Sequence, residues 1–474
     1  LTPLSVSELA AVVGGRILQG NREAVVRGIT IDSRRVTPGD LFAAFPGERV
    51  DGHSFVRQAA DAGAVAALVE RPLSTEERPH GDALAVIQVN QVLTAVQRLA
   101  AWERSQFAGP VIGVTGSNGK TTTKEMLAAV FAVRGPVLYT EGNLNNELGL
   151  PLTLLRRKTE HKTFVLEMGM RGFGQIAELC RIAQPTSGII TNIGQSHLEL
   201  LGTQENIAKA KAELLDAVPE DGYGFLLKTD AWLPKVAERC RGRVYWYGLD
   251  ESADAWAEDL RVVEGGMRFT AHVLGETISV RLPTYGEHNV NNALGALLVG
   301  AVHGLPLADM AESLARFTPT SGRLHIVPGR AARTVIDDCY NASPLSTEAS
   351  LRVLRDLSRG SVTAAVLGDM YELGTYAEAG HRHVGTTAAN LGVDVLVAIG
   401  PMSRWIAEAA EVASAAGAGY QGADVAAGIK VHWFPDKDTA IPQLEALIPS
   451  EAFVLVKASR GMHLEEVVEH LTKS

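Results

Sequence analysis

The sequence predicts an α/β protein of three domains. These are a small mixed α/β N-terminal domain over residues 1–107, a central domain with a mostly parallel sheet over 108–322, and a smaller doubly wound domain over 323–474. Three observations carry this. At 474 residues the chain has room for about three domains of ordinary size. From Val111 onward, short apolar runs alternate with helical stretches, as in parallel strands buried on both faces with helices as crossovers. A second such series begins after Arg323.

In the first domain, residues 26–31 and 41–45 read as short strands, separated by Asp32-Ser33-Arg34-Arg35 and a Pro38-Gly39-Asp40 turn. Val92, Ala95, Val96, Leu99 and Trp102 recur at helical spacing, which predicts an amphipathic helix over 91–106; Ala108-Gly109-Pro110 then closes the domain. The central series places strands at 111–115, 137–140, 164–168, 187–193 and 224–228. Residues 256–284 alternate in polarity, so an antiparallel hairpin or edge is expected there, followed by a helix at 288–303. The third series has strands at 333–337, 363–367, 394–399, 430–434 and 452–457, the pattern of a Rossmann-like sheet.

Composition removes several classes of function. Lys and Arg number 44 against 54 Asp and Glu, a net charge of −10, so a broad basic face for nucleic acid is not expected. A local basic pocket for a phosphorylated small molecule remains compatible. No apolar run reaches the roughly 18 residues a membrane span needs. The first residues lack the basic and apolar regions of a secretory signal. Cys180, Cys240 and Cys339 are far apart and fit neither a disulfide framework nor metal spacing. A cytoplasmic, monomeric protein is expected.

The most informative segment is 111–123, VIGVTGSNGKTTT: a strand, a glycine-containing loop and a helix start. In such a loop, backbone N–H groups and the helix N-terminus converge on phosphate oxygens, a lysine offsets their charge and a hydroxyl can ligate Mg²⁺. Thr115, Gly116, Ser117, Asn118, Gly119, Lys120, Thr121 and Thr122 are the candidates. The strict G-x-x-x-x-G-K-[ST] form is not met, because Val114 stands where its first glycine should be and Gly116 follows two residues later. The central domain is therefore expected to be like a phosphate-loop ATPase; the plainer alternative is a strand–turn–helix that needs glycine only to turn. No N-K-x-D guanine-reading segment stands out, which favours ATP. Glu167, ending the strand at 164–168, and His197, following the next strand, fall at the sheet edge where open α/β folds bind ligands, although a helix-capping Glu and a surface His are the plainer readings.

The string from Thr115 to Thr122, together with Glu167, His197 and Asn292, resembles the Mur ligases, ATP-dependent amide-forming enzymes of bacterial cell-wall precursor synthesis. The likeness covers nearly the whole chain. Residues 32–42 (DSRRVTPGDLF) and 51–55 (DGHSF) are similar to the family's N-terminal uridine-diphosphate domain. Residues 141–151 (EGNLNNELGLP), 336–342 (IDDCYNA) and 367–374 (LGDMYELG) resemble segments of the member that joins D-alanyl-D-alanine to UDP-N-acetylmuramoyl-tripeptide; the D-N-P-R string of diaminopimelate-adding members is absent. A ligase adding one amino acid to UDP-muramoyl-dipeptide or to a folate is the alternative, and a nucleotide-dependent switch a more distant one.

The resemblance implies ATP and Mg²⁺, held by Lys120 and the loop backbone, with Thr121, Glu167 and His197 at the metal. It makes Lys211, with Lys209 as the neighbouring alternative, a lysine carbamylated by CO₂; a carbamate would be an oxygen ligand where an ammonium would repel the cation. It implies Asn292 at adenine, Arg323 at the γ-phosphate, and Asp338 (or Asp337) and Asn341 around the ribose. Ser33, Arg34 and His53 would meet the uridine-diphosphate sugar, Asn143, Asn145 and Asn146 the muramyl group, and Arg171 a peptide carboxylate. Lys457 and Ser459 would face the incoming dipeptide, unless Ser459 caps a helix.

Overall fold

The computed structural model describes residues 1–47, 50–81, 83–417 and 428–473. In the N-terminal region a five-stranded sheet runs in the order Arg16–Gln19, Ala85–Gln88, Ala66–Val69, Asp40–Ala43, Gly28–Thr30, parallel except at its first pair. The strand expected at 26–31 is divided. Val25–Val26 pairs with Leu4–Ser5, whereas Gly28–Thr30 joins the larger sheet. Gly28 sits against its neighbour strand so closely that a Cβ would lie 2.3 Å from Asp40 Oδ1.

The helix Val92–Ser105 lies where the apolar spacing placed it and buries Val92, Ala95, Val96, Leu99 and Ala100. These residues share one apolar core with Leu4, Leu9 and Ile87 on one side and Phe164, Leu179 and Leu214 on the other. Burying each large aliphatic side chain contributes roughly 1.5–3 kcal/mol, so this continuous core is what fixes the N-terminal sheet to the central one. Buried Arg104 reinforces the junction: its Nε donates to Ala183 O at 2.7 Å and its Nη2 to Gln184 O at 2.8 Å, satisfying carbonyls at the end of the helix Gln175–Ala183.

The central sheet has nine strands in the order Val137–Tyr139, Thr163–Glu167, Val111–Thr115, Ser187–Ile190, Tyr223–Leu227, Arg243–Tyr247, Ala255–Val263, Gly266–Val273, Glu276–Leu282. The first seven are parallel, and the seventh continues into the last two as an antiparallel meander. The sequence predicted one hairpin or edge over 256–284, and the structure has three strands there; Arg243–Tyr247 links them to the parallel part. The strand expected at 187–193 stops at Ile190, because Thr191 and Asn192 leave the sheet to bond the phosphate loop. Helices Lys120–Phe131 and Glu287–Val302 pack side by side on one face, their apolar residues in a common core with Ile112, Val114, Val165 and Ile189.

The third sheet runs His325–Pro328, Thr334–Asp337, Phe453–Lys457, Thr363–Gly368, Val395–Ile399, Lys430–Phe434, parallel after an antiparallel first pair. Its two faces carry separate apolar cores, as a doubly wound sheet requires. Among the described residues no helix is long and apolar enough to cross a membrane.

Candidate active site

The loop after Val111–Thr115 is held from the neighbouring strand end. Ser117 N donates to Asn192 O at 2.9 Å, Asn118 N to Asn192 Oδ1 at 3.0 Å, and Thr191 Oγ1 to Asn118 O at 2.5 Å. Gly116 has φ 147° and faces Thr191 so closely that a Cβ would stand 1.8 Å from its hydroxyl oxygen, so only glycine closes this turn. Gly119, at φ 79°, lets the chain enter the helix Lys120–Phe131 against the Asn292 side chain. The first N–H groups of that helix have no intrahelical acceptor and carry the positive end of its dipole, a site for an anion.

Lys120 Nζ donates to Gly116 O at 2.8 Å and Ser117 O at 3.1 Å, and Lys211 Nζ reaches the same Gly116 O at 2.9 Å. Burial pushes Lys211 well below the ordinary lysine range, and the charge of Lys120 adds to the shift. Burial also lowers Lys120, with Glu167 opposing and Arg323 adding. Lys209 behaves differently: it is exposed and pairs with Glu205 at 2.7 Å across one helical turn. Glu167 is buried at the end of its strand, with Oε1 accepting from Asn145 Nδ2 at 2.7 Å. Its Oε2 is buried without a hydrogen-bond partner among the described residues. An unpaired carboxylate oxygen near a threonine hydroxyl and phosphate-directed N–H groups fits Mg²⁺, which takes one or two protein oxygens and completes its shell with phosphate and water. Among the described residues no three His, Cys, Asp or Glu side chains form a self-sufficient metal cluster.

The third domain reaches this site. Arg323 Nη2 donates to Thr121 Oγ1 at 2.9 Å, its guanidinium lies 4.1 Å from the Tyr340 ring centre, and its Nε has no hydrogen-bond partner among the described residues. Arg460 stands on the same ring at 4.9 Å. Ser343 Oγ donates to Asn118 Oδ1 at 3.1 Å across the same junction. Asp338 borders the cavity, accepting from Lys457 Nζ at 2.6 Å, Ser350 Oγ at 2.6 Å and Leu324 N at 3.1 Å. Asp337 is turned to Gly322 N and Cys339 instead.

These groups surround a cavity of about 970 Å³. Of the expected residues it is lined by Ser117 to Thr122, Asn143, Asn145, Asn146, Glu167, Arg171, His197, Lys211, Asn292, Arg323, Asp338, Asn341 and Lys457. Thr115 and Gly116 shape the loop from behind, the Thr115 hydroxyl donating to Met168 O at 2.9 Å.

Several expected residues are committed elsewhere. Lys457 donates to Asp338 and to Asn341 O at 3.0 Å, so its ammonium organises the segment expected at the ribose and is not free for a dipeptide. Ser459 is buried away from the cavity and accepts from Tyr371 N at 2.8 Å; it makes no helix-capping bond either. In the N-terminal domain, Ser33 Oγ donates to Gln58 Oε1 at 3.0 Å. His53 is buried, with Nδ1 2.6 Å from Asp51 Oδ1 and Nε2 accepting from Glu70 N at 2.9 Å, so both ring nitrogens serve the fold. Arg34 alone of the three is well exposed, paired to Asp32 at 2.8 Å.

Sequence reasoning passed over three neighbours of the site. Lys124, buried, follows Lys120 by one helical turn; His288 precedes Asn292 by the same interval, and i, i+4 spacing was the signal for both. Burial pushes His288 down to about 4. Glu372, within the 367–374 string, has its Oε2 2.6 Å from His197 Nδ1, a pairing across domains that no local pattern reveals.

Comparison with known proteins gives the chain a family. The family models for the Mur ligase catalytic domain, the Mur ligase middle domain and the Mur ligase glutamate ligase domain match residues 25–104, 114–300 and 322–460. The chain is 36% identical to the UDP-N-acetylmuramoyl-tripeptide–D-alanyl-D-alanine ligase of Bacillus subtilis, over 99% of this chain and 98% of that one. A crystal structure of MurF from Acinetobacter baumannii superposes with a TM-score of 0.88 at 32% identity, covering 100% of both chains. A MurF ligase from Thermotoga maritima in complex with ADP gives 0.79 at 29% identity, over 94% of this chain and 97% of that one. With a phosphate loop, a cross-domain arginine and full-length likeness of this kind, the chain belongs to the Mur ligase family.

Proposed function

We propose that this protein joins D-alanyl-D-alanine to UDP-N-acetylmuramoyl-tripeptide, with conversion of ATP to ADP and phosphate. The observation that carries the reading is one cavity in which Lys120 and Thr121 of the central domain meet Arg323 of the third, beside the asparagine loop at Asn143 to Asn146. A carboxylate is a poor acyl donor because its oxygen leaves badly. Transfer of the γ-phosphoryl group to the tripeptide carboxylate makes an acyl phosphate; the dipeptide amine then attacks the acyl carbon, phosphate leaves and the nitrogen loses a proton.

Lys120, Arg323 and the helix N-terminus offset charge on the transferring group. Thr121, Glu167, His197 and Lys211 would hold Mg²⁺, which when bound neutralises phosphate charge. Lys211 supports its role by being buried and depressed: a neutral amine can attack CO₂, form the N–C bond and release a proton, leaving a carbamate oxygen facing the cavity. Asn292 sits against Gly119 at the helix entry and is read as the adenine contact, with Asp338 and Asn341 toward the ribose and Lys457 holding both. Arg171 is read at the peptide carboxylate, and residues 1–107 as the UDP-sugar domain, with Arg34 its most available side chain.

An ¹⁸O label in the tripeptide carboxylate tests the central step. The label should appear in released phosphate during coupling; its full retention in the peptide would overturn the acyl-phosphate reading.

A further inference from the structure

We propose that Glu372 is the positioning residue for His197, so that the cation-holding side of the cavity is completed only when the third domain is docked on the central one. This rests on His197 as a cation-holding residue, as read above.

Glu372 lies on an arm that the third domain holds rigidly. The arm leaves the strand Thr363–Gly368, and its backbone is fixed residue by residue. Asp369 Oδ1 accepts from Ser403 N at 2.6 Å and from Ser403 Oγ at 2.8 Å. Met370 N donates to buried His381 Nε2 at 3.0 Å, and Tyr371 N donates to buried Ser459 Oγ at 2.8 Å. Ser459 and His381 thus serve to hold this arm.

The tip of the arm meets the central domain at three points. Glu372 O accepts from Glu199 N at 3.2 Å. Gly374, at φ 54°, sits so close to the helix Leu198–Leu201 that a Cβ would lie 2.8 Å from Glu199 Cα. Glu372 Oε2 stands 2.6 Å from His197 Nδ1. His197 and Glu372 both adopt left-handed backbone, φ 65° and 62°, a conformation costly for residues with a Cβ and retained where surrounding structure dictates it.

The chemical consequence lies in the imidazole. A carboxylate oxygen only accepts, so its 2.6 Å approach favours the proton on Nδ1 and leaves the Nε2 lone pair as the donor atom. Carboxylates that orient ligating histidines change metal affinity about 10–100-fold. Here that carboxylate arrives from another domain. Without docking, His197 loses the carboxylate that biases its tautomer.

The test uses the full chain with a non-hydrolysable ATP analogue and Mn²⁺ as probe, free Mn²⁺ being read by electron paramagnetic resonance. E372Q should weaken nucleotide-dependent Mn²⁺ binding about tenfold. H197A should weaken it at least as much, and the double variant should be no worse than H197A alone. G374V, which blocks docking without touching the carboxylate, should reproduce the E372Q loss and enlarge the particle in small-angle X-ray scattering. Wild-type Mn²⁺ affinity in E372Q or G374V, with H197A weakened, would overturn the positioning role alone. Unchanged affinity in H197A would overturn the cation-holding reading beneath it as well.

Discussion

The floor of the central cavity and the turns around Asp32 and Asp51 are both crowded with polar side chains, yet they are built in opposite ways. In the N-terminal turns the groups satisfy one another. Asp32 takes the Arg34 guanidinium on both oxygens, and Asp51 takes His53 and Arg71. His53 uses its second nitrogen on Glu70 N. At the cavity floor, Glu167 Oε2, Arg323 Nε and Asn118 Nδ2 are buried without partners among the described residues. A buried unpaired polar atom costs about 1–3 kcal/mol, so a fold keeps several together only where something else completes them. Polar strings that look alike in sequence are thus told apart by their unused capacity.

Four measurements press on this contrast. Lys120→Ala removes the cation nearest the expected phosphates and should lower amide formation on the order of 10³-fold, followed by coupled ADP release, while UDP-substrate binding is kept. Near-normal turnover would erase the distinction between the regions. Lys211→Gln should cost on the order of 10²-fold in turnover, whereas Lys209→Gln stays within about twofold; equal losses would mean that burial does not mark function on this helix. His53→Ala should lower stability by about 2 kcal/mol, seen in thermal melts, because it strands Glu70 N and removes a partner of Asp51. Unchanged melting with a raised KM for the UDP substrate would instead return His53 to a ligand site.

The smallest expected effect concerns pH. His288 in the folded protein titrates near 4 against an ordinary 6.5, chiefly through burial. As pH falls below 6.5 the unfolded chain takes up this proton first. The stability gained from neutral His288 is therefore complete above 6.5 and drains away toward 4. His288→Gln should flatten the decline of Tm across that window while leaving Tm above pH 6.5 little changed; an unaltered slope would remove His288 as its source.

What could be read in the sequence was local chemistry. The strand at 111–115, its glycine loop and the helix at 91–106 need only neighbours along the chain, and they lie where spacing placed them. Two choices stayed open because adjacent residues share composition. Lys211 and Lys209 separate only when the helix Gln204–Lys211 is packed, and Asp337 and Asp338 only when Lys457 arrives from a distant strand. Glu372 was out of reach for the same reason, since its partner belongs to another domain. The strands Arg16–Gln19, Ala66–Val69 and Ala85–Gln88 are too short for a period to emerge, and the aromatic run Arg243–Tyr247 gave no alternation to read.

The shared core beneath the helices Lys120–Phe131 and Glu287–Val302 has a last consequence. Asn292 and the phosphate loop ride on one block, so the spacing between them is a caliper set by the central core alone. A ligand that touches both is gauged within that block alone, and Arg323 of the third domain meets the loop at Thr121 without altering that gauge.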